Sequence, residues 1–462
     1  MRSKKLLLLY PIILIVILVW IAAVYSVKNN AAVKALSEQT SLVEKADKFI
    51  EDEIYSRAIP LYNTAYKIKT ENSFDISYKL EQAYKNSGDT RHYISTLSNR
   101  CEDKGNNALE SEFIALAEYY FTNKKYDQAM KIIDRGLEIY DSTELFILKS
   151  DHKYDFYDAS GLFDDIRFVA AQYLPVCING KWGYINNNGG KISDFVYDKA
   201  SAFYNMYKYD GEKRLEEDYQ LGAMVIKDGI YQIIDPSLNR YSLNKEPASD
   251  IVGVLKNGYG AIKKENGKYI AVDSEFRIIS EEFEYIGQCS ENLTVFTSGG
   301  KFGALDSSFN IYIDPIYNDF AVNSYDEAFN CSRFFAITSN SYNLFDYSGN
   351  IIGSDSYENA HAFYNNGKYA AVKNNGKWGF VDVDGNIVID YAYEEAKSFS
   401  EGVAAVKKNG KWGYINIDNE VIIDYQFKDA SPFSKYRTAA VLSEDGYKLI
   451  AFYWMEDKND KS

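Results

Sequence analysis

Histidine is scarce in this chain. Three occur in 462 residues, His92, His152 and His361, which leaves little material for imidazole acid–base chemistry or metal ligation. Cysteine is nearly as rare. Cys101, Cys177, Cys289 and Cys331 lie far apart, without the short spacing of a zinc or redox motif. Cys177 and Cys331 sit in apolar, strand-like runs and read as free buried thiols; a disulfide stays open if the body is exported. Positive charge is in deficit, at −15 net. That argues against nucleic acid as a partner, because neutralising phosphates needs clustered Lys and Arg. The catalytic signatures His-Glu-x-x-His, Gly-x-Ser-x-Gly, the Walker loop and Gly-x-Gly-x-x-Gly before a helix are all missing. No cofactor and no enzymatic activity is therefore expected. Asp and Glu are plentiful, so a carboxylate pair of the glycosidase kind stays open, although nothing marks a particular pair.

What the chain does have is tyrosine, 41 residues of it. Tyrosine favours half-buried strands, so a large β portion is expected. The other conspicuous feature is one long apolar run, Leu6–Val27. As a helix it spans about 33 Å, enough for a bilayer core. Arg2, Lys4 and Lys5 precede it and Lys28 alone follows closely. The positive-inside rule then keeps the N-terminus in the cytoplasm and sends the body across. The rival is a cleaved signal peptide, with Ala22-Ala23 as a permissive site. The run exceeds the usual apolar length of a cleaved signal, which favours a signal anchor over residues 1–30.

Residues 31–150 read as helices. Apolar positions fall three and four apart, as in Leu42, Ala46, Phe49, Ile50 and then Ala58, Leu61, Tyr62, Ala65. The phrase Tyr55-x-x-Ala58 with Ala65 returns as Tyr126-x-x-Ala129 with Gly136, two periods of roughly 35 residues later. Small residues at those places let paired helices approach closely. The segment resembles the tetratricopeptide repeat. That resemblance implies a concave protein-binding groove, while three short repeats serve equally as a rigid spacer.

Residues 151–456 carry a second repeat, ahead of a short polar tail, 457–462. Gly180-Lys181-Trp182-Gly183-Tyr184-Ile185 recurs as Gly376-Lys377-Trp378-Gly379-Phe380-Val381 and as Gly410-Lys411-Trp412-Gly413-Tyr414-Ile415. Weaker copies are marked by Tyr231, Tyr269, Phe302, Tyr342 and Tyr447, at steps of roughly 33–49 residues. Four places after each of the first seven markers stands Asn or Asp, from Asn186 to Asn416. Within a unit, Asn409-Gly410 marks a type I′ hairpin turn between two strands, and the Asx residue starts a turn into a third. A closing phrase, aromatic-x-x-Ala-x-x-Phe, follows as Tyr197/Ala200/Phe203, Tyr357/Ala360/Phe363, Tyr393/Ala396/Phe399 and Phe427/Ala430/Phe433.

These phrases resemble the WG repeat, a bacterial repeat named for its Trp-Gly pair, over about 174–454. The resemblance implies propeller-like β-structure; the family's biochemical role is mostly undefined. A closing phrase before the first Trp-Gly, taken as Phe156/Ala159/Leu162, and an unfinished hairpin at Ala439–Tyr453 together make one unit. A closed ring needs such a join and an open solenoid does not. The expected fold is therefore α+β multidomain: a transmembrane helix, a helical-hairpin array, and a seven- or eight-bladed propeller with a composite closing blade. An open stack of hairpins is the alternative.

The candidate sites are few. Trp182, Gly183, Trp378, Gly379, Trp412 and Gly413 read as packing elements. Asp382, Asp384, Asn386 and Asp390 offer oxygens at alternate positions that suit Ca²⁺, but the loop lacks glycine at the sixth place, and an Asx-Gly turn explains it as well. The insertion Tyr204–Asp218 carries Lys208, Lys213, Arg214, Glu216 and Glu217 and reads as a loop that is either merely solvated or a binding element. The expected protein is a membrane-anchored, extracytoplasmic, non-enzymatic scaffold that binds a protein or an envelope component. The alternative is a cell-surface propeller that binds or processes carbohydrate.

Overall fold

The computed structural model describes residues 30–453, apart from 69, 71, 104–107, 168–170, 211–212, 244–247, 255–257 and 366. The apolar run Leu6–Val27 and the tail 457–462 lie outside the described residues. Among the described residues no helix is long and apolar enough to cross a membrane. Two compact units divide between Lys153 and Tyr154.

The first unit is helical: 30–51, Tyr55–Lys67, Ser73–Ser87, Thr90–Cys101, Glu110–Thr122, Tyr126–Ile139 and Thr143–His152. The small residues of the repeated phrase are where helices meet. Ala58, Ala65 and Ala129 are fully buried. A Cβ on Gly136 would stand 2.6 Å from Leu145 Cδ1 and 3.2 Å from Phe113. Helix starts use Asp89 and Ser142 as caps, which accept from the backbone N–H of His92 and Leu145.

A buried ion cluster ties three of these helices. Arg100 Nε donates to Glu112 Oε1 at 2.6 Å and lies 3.1 Å from Glu81 Oε2, while its Nη1 donates to Ser77 and to the Phe74 carbonyl. Two carboxyls share one guanidinium, so one of them holds a proton. Burial and the hydrogen bond with Glu112 push Glu81 up to about 8. Glu112 is held below its usual value: its hydrogen bonds to Arg100 and Glu81 outweigh the desolvation that would raise it. A raised folded pKa stabilises fully below the unfolded value and is lost as pH rises through the folded one. The Glu81 contribution therefore falls away between about pH 4.5 and 8, by at most about 1.4 kcal/mol per pH unit. A Glu81→Gln chain should lose this decline, which urea titrations of the helical signal at pH 6 and pH 8.5 would reveal.

The second unit is a ring of eight antiparallel sheets among the described residues. Blade 7 is the pattern: Glu395–Ala396, Val403–Lys408, Lys411–Asn416 and Val421–Phe427, paired in that order. The expected type I′ turns are present. Asn179-Gly180, Asn375-Gly376 and Asn409-Gly410 all have positive φ at both residues. The Asx positions are equally regular. Asp382 Oδ1 accepts the N–H of Asp384 and Asn386, each at 2.9 Å, and its Oδ2 accepts Asn386 Nδ2 at 3.0 Å. Asp306 and Asp346 repeat this geometry.

The Trp-Gly pair has a backbone reason. Trp412 pairs with Phe427 and Tyr414 with Ile423, so the outer strand bulges opposite Gly413. The bulge brings the Ile423 carbonyl to 2.5 Å from where a Cβ on Gly413 would sit, and Ile389 does the same to Gly379 at 2.6 Å. The marker aromatic meets the first aromatic of its closing phrase across the sheet: Trp182 with Tyr197, Tyr269 with Phe283, Phe302 with Tyr317, Tyr342 with Tyr357, Trp378 with Tyr393. That pairing accepts Tyr or Phe as readily as Trp, which is why the weak copies keep their spacing. The last Phe of the phrase crosses to the next blade. Tyr184–Phe203, Phe380–Phe399 and Tyr414–Phe433 are edge-to-face at 4.8, 4.8 and 4.9 Å. Each sequence repeat is thus shared between two blades.

Closure follows from that offset. Phe156–Asp158 pairs with Ile450–Phe452 of the last hairpin, in the register Phe156–Phe452, Tyr157–Ala451 and Asp158–Ile450. The composite blade is as expected, and the blade count is eight. The phrase behind it shifts by seven residues. Tyr447 bridges Phe163, and Ile166 takes the Ala place on the first strand of blade 1, Asp165–Ile166. Phe156 is instead the start of the fourth strand. Both Phe156 and Phe163 are aromatic, so spacing alone did not separate them.

Candidate functional site

The first strands of the blades line the axis of the ring, and the loops that follow them fill it. Three voids lie in sequence along those strands. The first, about 570 Å³, is bordered by Asp165–Arg167, Asp198–Ala200 and Asp250–Ile251, with Trp182 and Ser324. The second, about 70 Å³, is bordered by Arg167, Ser201–Ala202 and Val252–Val254. The third, about 490 Å³, is bordered by Ala171–Gln172 and Phe203–Asn205. Residue numbers climb from void to void on each strand. Arg167 borders the first two voids; Tyr204 and Tyr325 border the last two. Shared residues thus link each void to the next, and the middle one, the waist, is the smallest.

The waist is made by blade 5. Its first strand, Asp319–Phe320, is followed by a long excursion before Arg333–Ile337. Asn323 folds this excursion back. Its Oδ1 accepts the N–H of Tyr325 at 2.8 Å, and its N–H and carbonyl pair with Glu327 O and Asp326 N. Asn323 and Asn330 both donate through Nδ2 to Glu327 Oε2 and to the Phe363 carbonyl of blade 6. Asn323, Glu327 and Asn330 are all buried, and their polar groups are paired within the protein. Tyr364 Oη accepts the Ser324 N–H at 2.9 Å. The result is that Tyr325 and Asp326 project onto the axis, with Asp326 at φ +60°. Desolvation by the channel wall pushes the Asp326 carboxyl up and Arg167 draws it back. Asp326 is nonetheless open to channel water.

The third void is the larger of the two mouths in aromatic content. Tyr204, Tyr325, Tyr364 and Tyr436 border it, with Phe203 beneath. Tyr325 and Tyr364 stand edge-to-face at 5.0 Å. Burial raises the phenols of Tyr204, Tyr325 and Tyr364, so all three keep their protons. Among these groups are amides and charges: Gln172, Asn205, Asn365, Glu401 and Lys435.

Of the candidate site residues named from the sequence, only Tyr204 borders this mouth, next to Phe203 of its closing phrase. The insertion it opens is not a loop. Tyr204–Asp210 and Lys213–Lys227 pair as a β-hairpin, with Tyr209 opposite Arg214 and Asp210 opposite Lys213, and the second strand runs on into blade 2. Lys208, Lys213, Arg214, Glu216 and Glu217 belong to this arm; the side chains of 208–220 lie outside the described residues. Trp378 and Trp412 are buried in the blades, whereas Trp182 is half-buried and borders the first void. Asp384 faces Arg333 at 3.8 Å, and Asp382 and Asn386 bond each other. Among the described residues no group of three His, Cys, Asp or Glu could hold a metal. Replacing Asp382 with alanine should cost about 1–2 kcal/mol by releasing the turn donors, while millimolar Ca²⁺ should leave the midpoint of the intact chain unchanged; differential scanning fluorimetry reads both.

The histidines are engaged in packing. His361 stacks on Trp378 at 4.9 Å, and burial with Lys397 nearby lowers it to about 4. His152 stacks on Phe121, and His92 on Tyr84. All four cysteines are free thiols, and burial raises Cys101, Cys177 and Cys331.

The mouth residues did carry a sequence signal. They stand directly after the last residue of the closing phrase: Phe203 then Tyr204-Asn205, Phe363 then Tyr364-Asn365, Phe399 then Ser400-Glu401, Phe433 then Ser434-Lys435-Tyr436. In blade 5 Asn323 replaces that Phe, and Ser324-Tyr325 follows.

The family model described as WG containing repeat matches residues 182–205, 344–378, 378–412 and 412–436. No curated protein matches the chain. Among solved structures, PorZ, an essential bacterial surface component of the type-IX secretion system of Porphyromonas gingivalis, is similar at 9% identity and a TM-score of 0.33, over 64% of this chain and 38% of that one. The WD40 β-propeller domain of Doa1 is similar at 10% identity and a TM-score of 0.31, over 66% of this chain and 98% of that one. This chain thus spans well under half of PorZ. Its second unit carries WG-containing repeats, four of them matched by the family's model.

Proposed function

We propose that this protein is a non-enzymatic binding scaffold, anchored in the cytoplasmic membrane through Leu6–Val27 with its body on the far side. The observation that carries this reading is the contrast within the ring. The blades repeat one packing scheme, while the loops after their first strands differ in length and chemistry and converge on one mouth. A rigid scaffold with variable convergent loops is the usual build of a recognition surface. The helical unit adds a polar groove of about 730 Å³ between Asn63, Ser77, His92 and Asn99, in keeping with the tetratricopeptide resemblance. The structural engagement of all three histidines supports a binding role over a catalytic one.

Two measurements test it. Externally added protease on cells with a permeabilised outer layer should digest the body; protection until the cytoplasmic membrane is lysed would place the body inside and end the extracytoplasmic reading. A photo-crosslinking residue at position 436 should capture a partner in intact cells, and one at Ile351, on the outer strand of blade 5, should not. Equal capture at both positions, or none at either, counts against the mouth as the binding surface.

A further inference from the structure

We infer that the 490 Å³ mouth is a binding site for the terminal residues of a neutral glycan. The inference rests on the scaffold reading above and names its ligand class.

The size is that of a small-molecule site rather than of a flat protein contact. The walls combine aromatic rings with groups that both give and take hydrogen bonds. Tyr204 and Tyr436 are half-buried, so their rings are part of the accessible wall, while Tyr325 and Tyr364 are sunk beneath. Aromatic faces cover the C–H surfaces of a sugar ring, which are apolar and slightly positive, by the same quadrupole attraction that orders aromatic pairs. Gln172, Asn205 and Asn365 border the same void. Each amide offers two donors and an acceptor, which suits the mixed demands of vicinal hydroxyls. Charge discriminates among other ligands. Glu327 and Glu401 stand against Lys435 alone at this mouth. A phosphate or polyanion needs converging cations or backbone N–H groups, and here the balance is slightly negative. A cationic ligand fares little better, because Glu327 is buried in its knot with Asn323 and Asn330.

The waist decides which part of a glycan enters. Tyr325 and Tyr364 are sunk at the base of the mouth, and beyond Tyr204 and Tyr325 the next void is only about 70 Å³. The site is therefore blind at its base. A chain can insert an end but cannot thread through, so the site reads chain ends and ignores the interior of long polymers. The knot around Asn323 holds this floor in place before any ligand arrives, which lowers the ordering cost of binding.

The full chain, solubilised in a detergent without sugar groups, would be screened on immobilised neutral oligosaccharides with free ends and on the same chains with both ends blocked. Retention is expected for free-ended chains only. Tyr436→Ala should weaken it about tenfold or more, as for truncation of an anchoring aromatic, and Tyr436→Phe should keep most of it. Ile351→Ser, on the outer edge, should change nothing. Near-UV circular dichroism confirms that each variant is folded. Absence of retention by the folded chain overturns the glycan site. Equal retention of blocked chains overturns the end-reading, and insensitivity to Tyr436→Ala overturns the location. If the residue at 436 captures a protein in cells while no glycan is retained, the glycan site falls and the scaffold reading stands.

Discussion

Replacing Phe452 with alanine is expected to destabilise the propeller by about 3–5 kcal/mol, the cost of emptying a well-packed aromatic site. Phe452 is almost fully buried. It stacks on Phe433 at 4.0 Å and 14° and approaches Tyr154 at 5.9 Å. It pairs with Phe156 and donates its N–H to the Arg437 carbonyl at 2.9 Å. One side chain therefore joins the last hairpin, the preceding closing phrase and the first strand of the unit. The consequence should be global. In an open stack, each repeat feels only its neighbours, and a change at one end leaves the far blades protected. In a closed ring, loosening the join weakens every blade. Hydrogen exchange at Ala371 and Val372, buried in blade 6, should therefore accelerate in the Phe452→Ala chain. Protection there equal to that of the unchanged chain would mean that the join contributes no cooperativity.

The second large effect is at Gly413. Alanine there would put its Cβ 2.5 Å from the Ile423 carbonyl and 3.0 Å from backbone atoms of Asp424 and Tyr425. All three are main chain, held in the sheet, and cannot swing aside. The expected cost is about 3 kcal/mol, at the upper end for overpacking. Gly410, three residues earlier, makes an instructive comparison. Nothing lies within 4 Å of its missing Cβ, but its φ is +76°. Alanine there meets only the left-handed backbone penalty, about 1–2 kcal/mol. Chemical denaturation of the two variants should therefore separate them by about a kilocalorie or more. A Gly413→Ala chain as stable as Gly410→Ala would show that the bulge can relax.

Much of the ring was legible because its packing rules are local. The Trp-to-Asx offset is set by one turn, and Asp306, Asp346 and Asp382 make it with the same hydrogen bonds. The fifteen-residue step from Trp378 to Tyr393 is set by one strand pair. The composite blade was visible for the same reason: each repeat is split between two blades, so a leftover half at each end has one place to go. The axial mouth was only half visible: its wall residues follow the closing phrases, but their convergence is not written in the spacing. Its floor depends on Asn323, Glu327 and Asn330 meeting the Phe363 carbonyl of another blade, a contact no spacing announces. Tyr364 and Tyr436 were two tyrosines among 41, and most of the rest pack in strands. The arm at Tyr204–Asp210 and Lys213–Lys227 reads as a loop in the sequence because its outer half is crowded with charge and lacks the alternation of a half-buried strand. The glycine of Gly211-Glu212, between the paired Asp210 and Lys213, was the hairpin signal there.

The closing blade also fixes where tension enters the ring. Phe156–Asp158 is the first strand of the unit and lies at the outer edge of its sheet, held by three register pairs to Ile450–Phe452. Any pull transmitted along the chain from its N-terminal side arrives at this strand before it reaches any other. The ring's seam is thus also its mechanical fuse: under load the strand peels first, and the seven blades built from strands consecutive in the chain are strained only after the seam has parted.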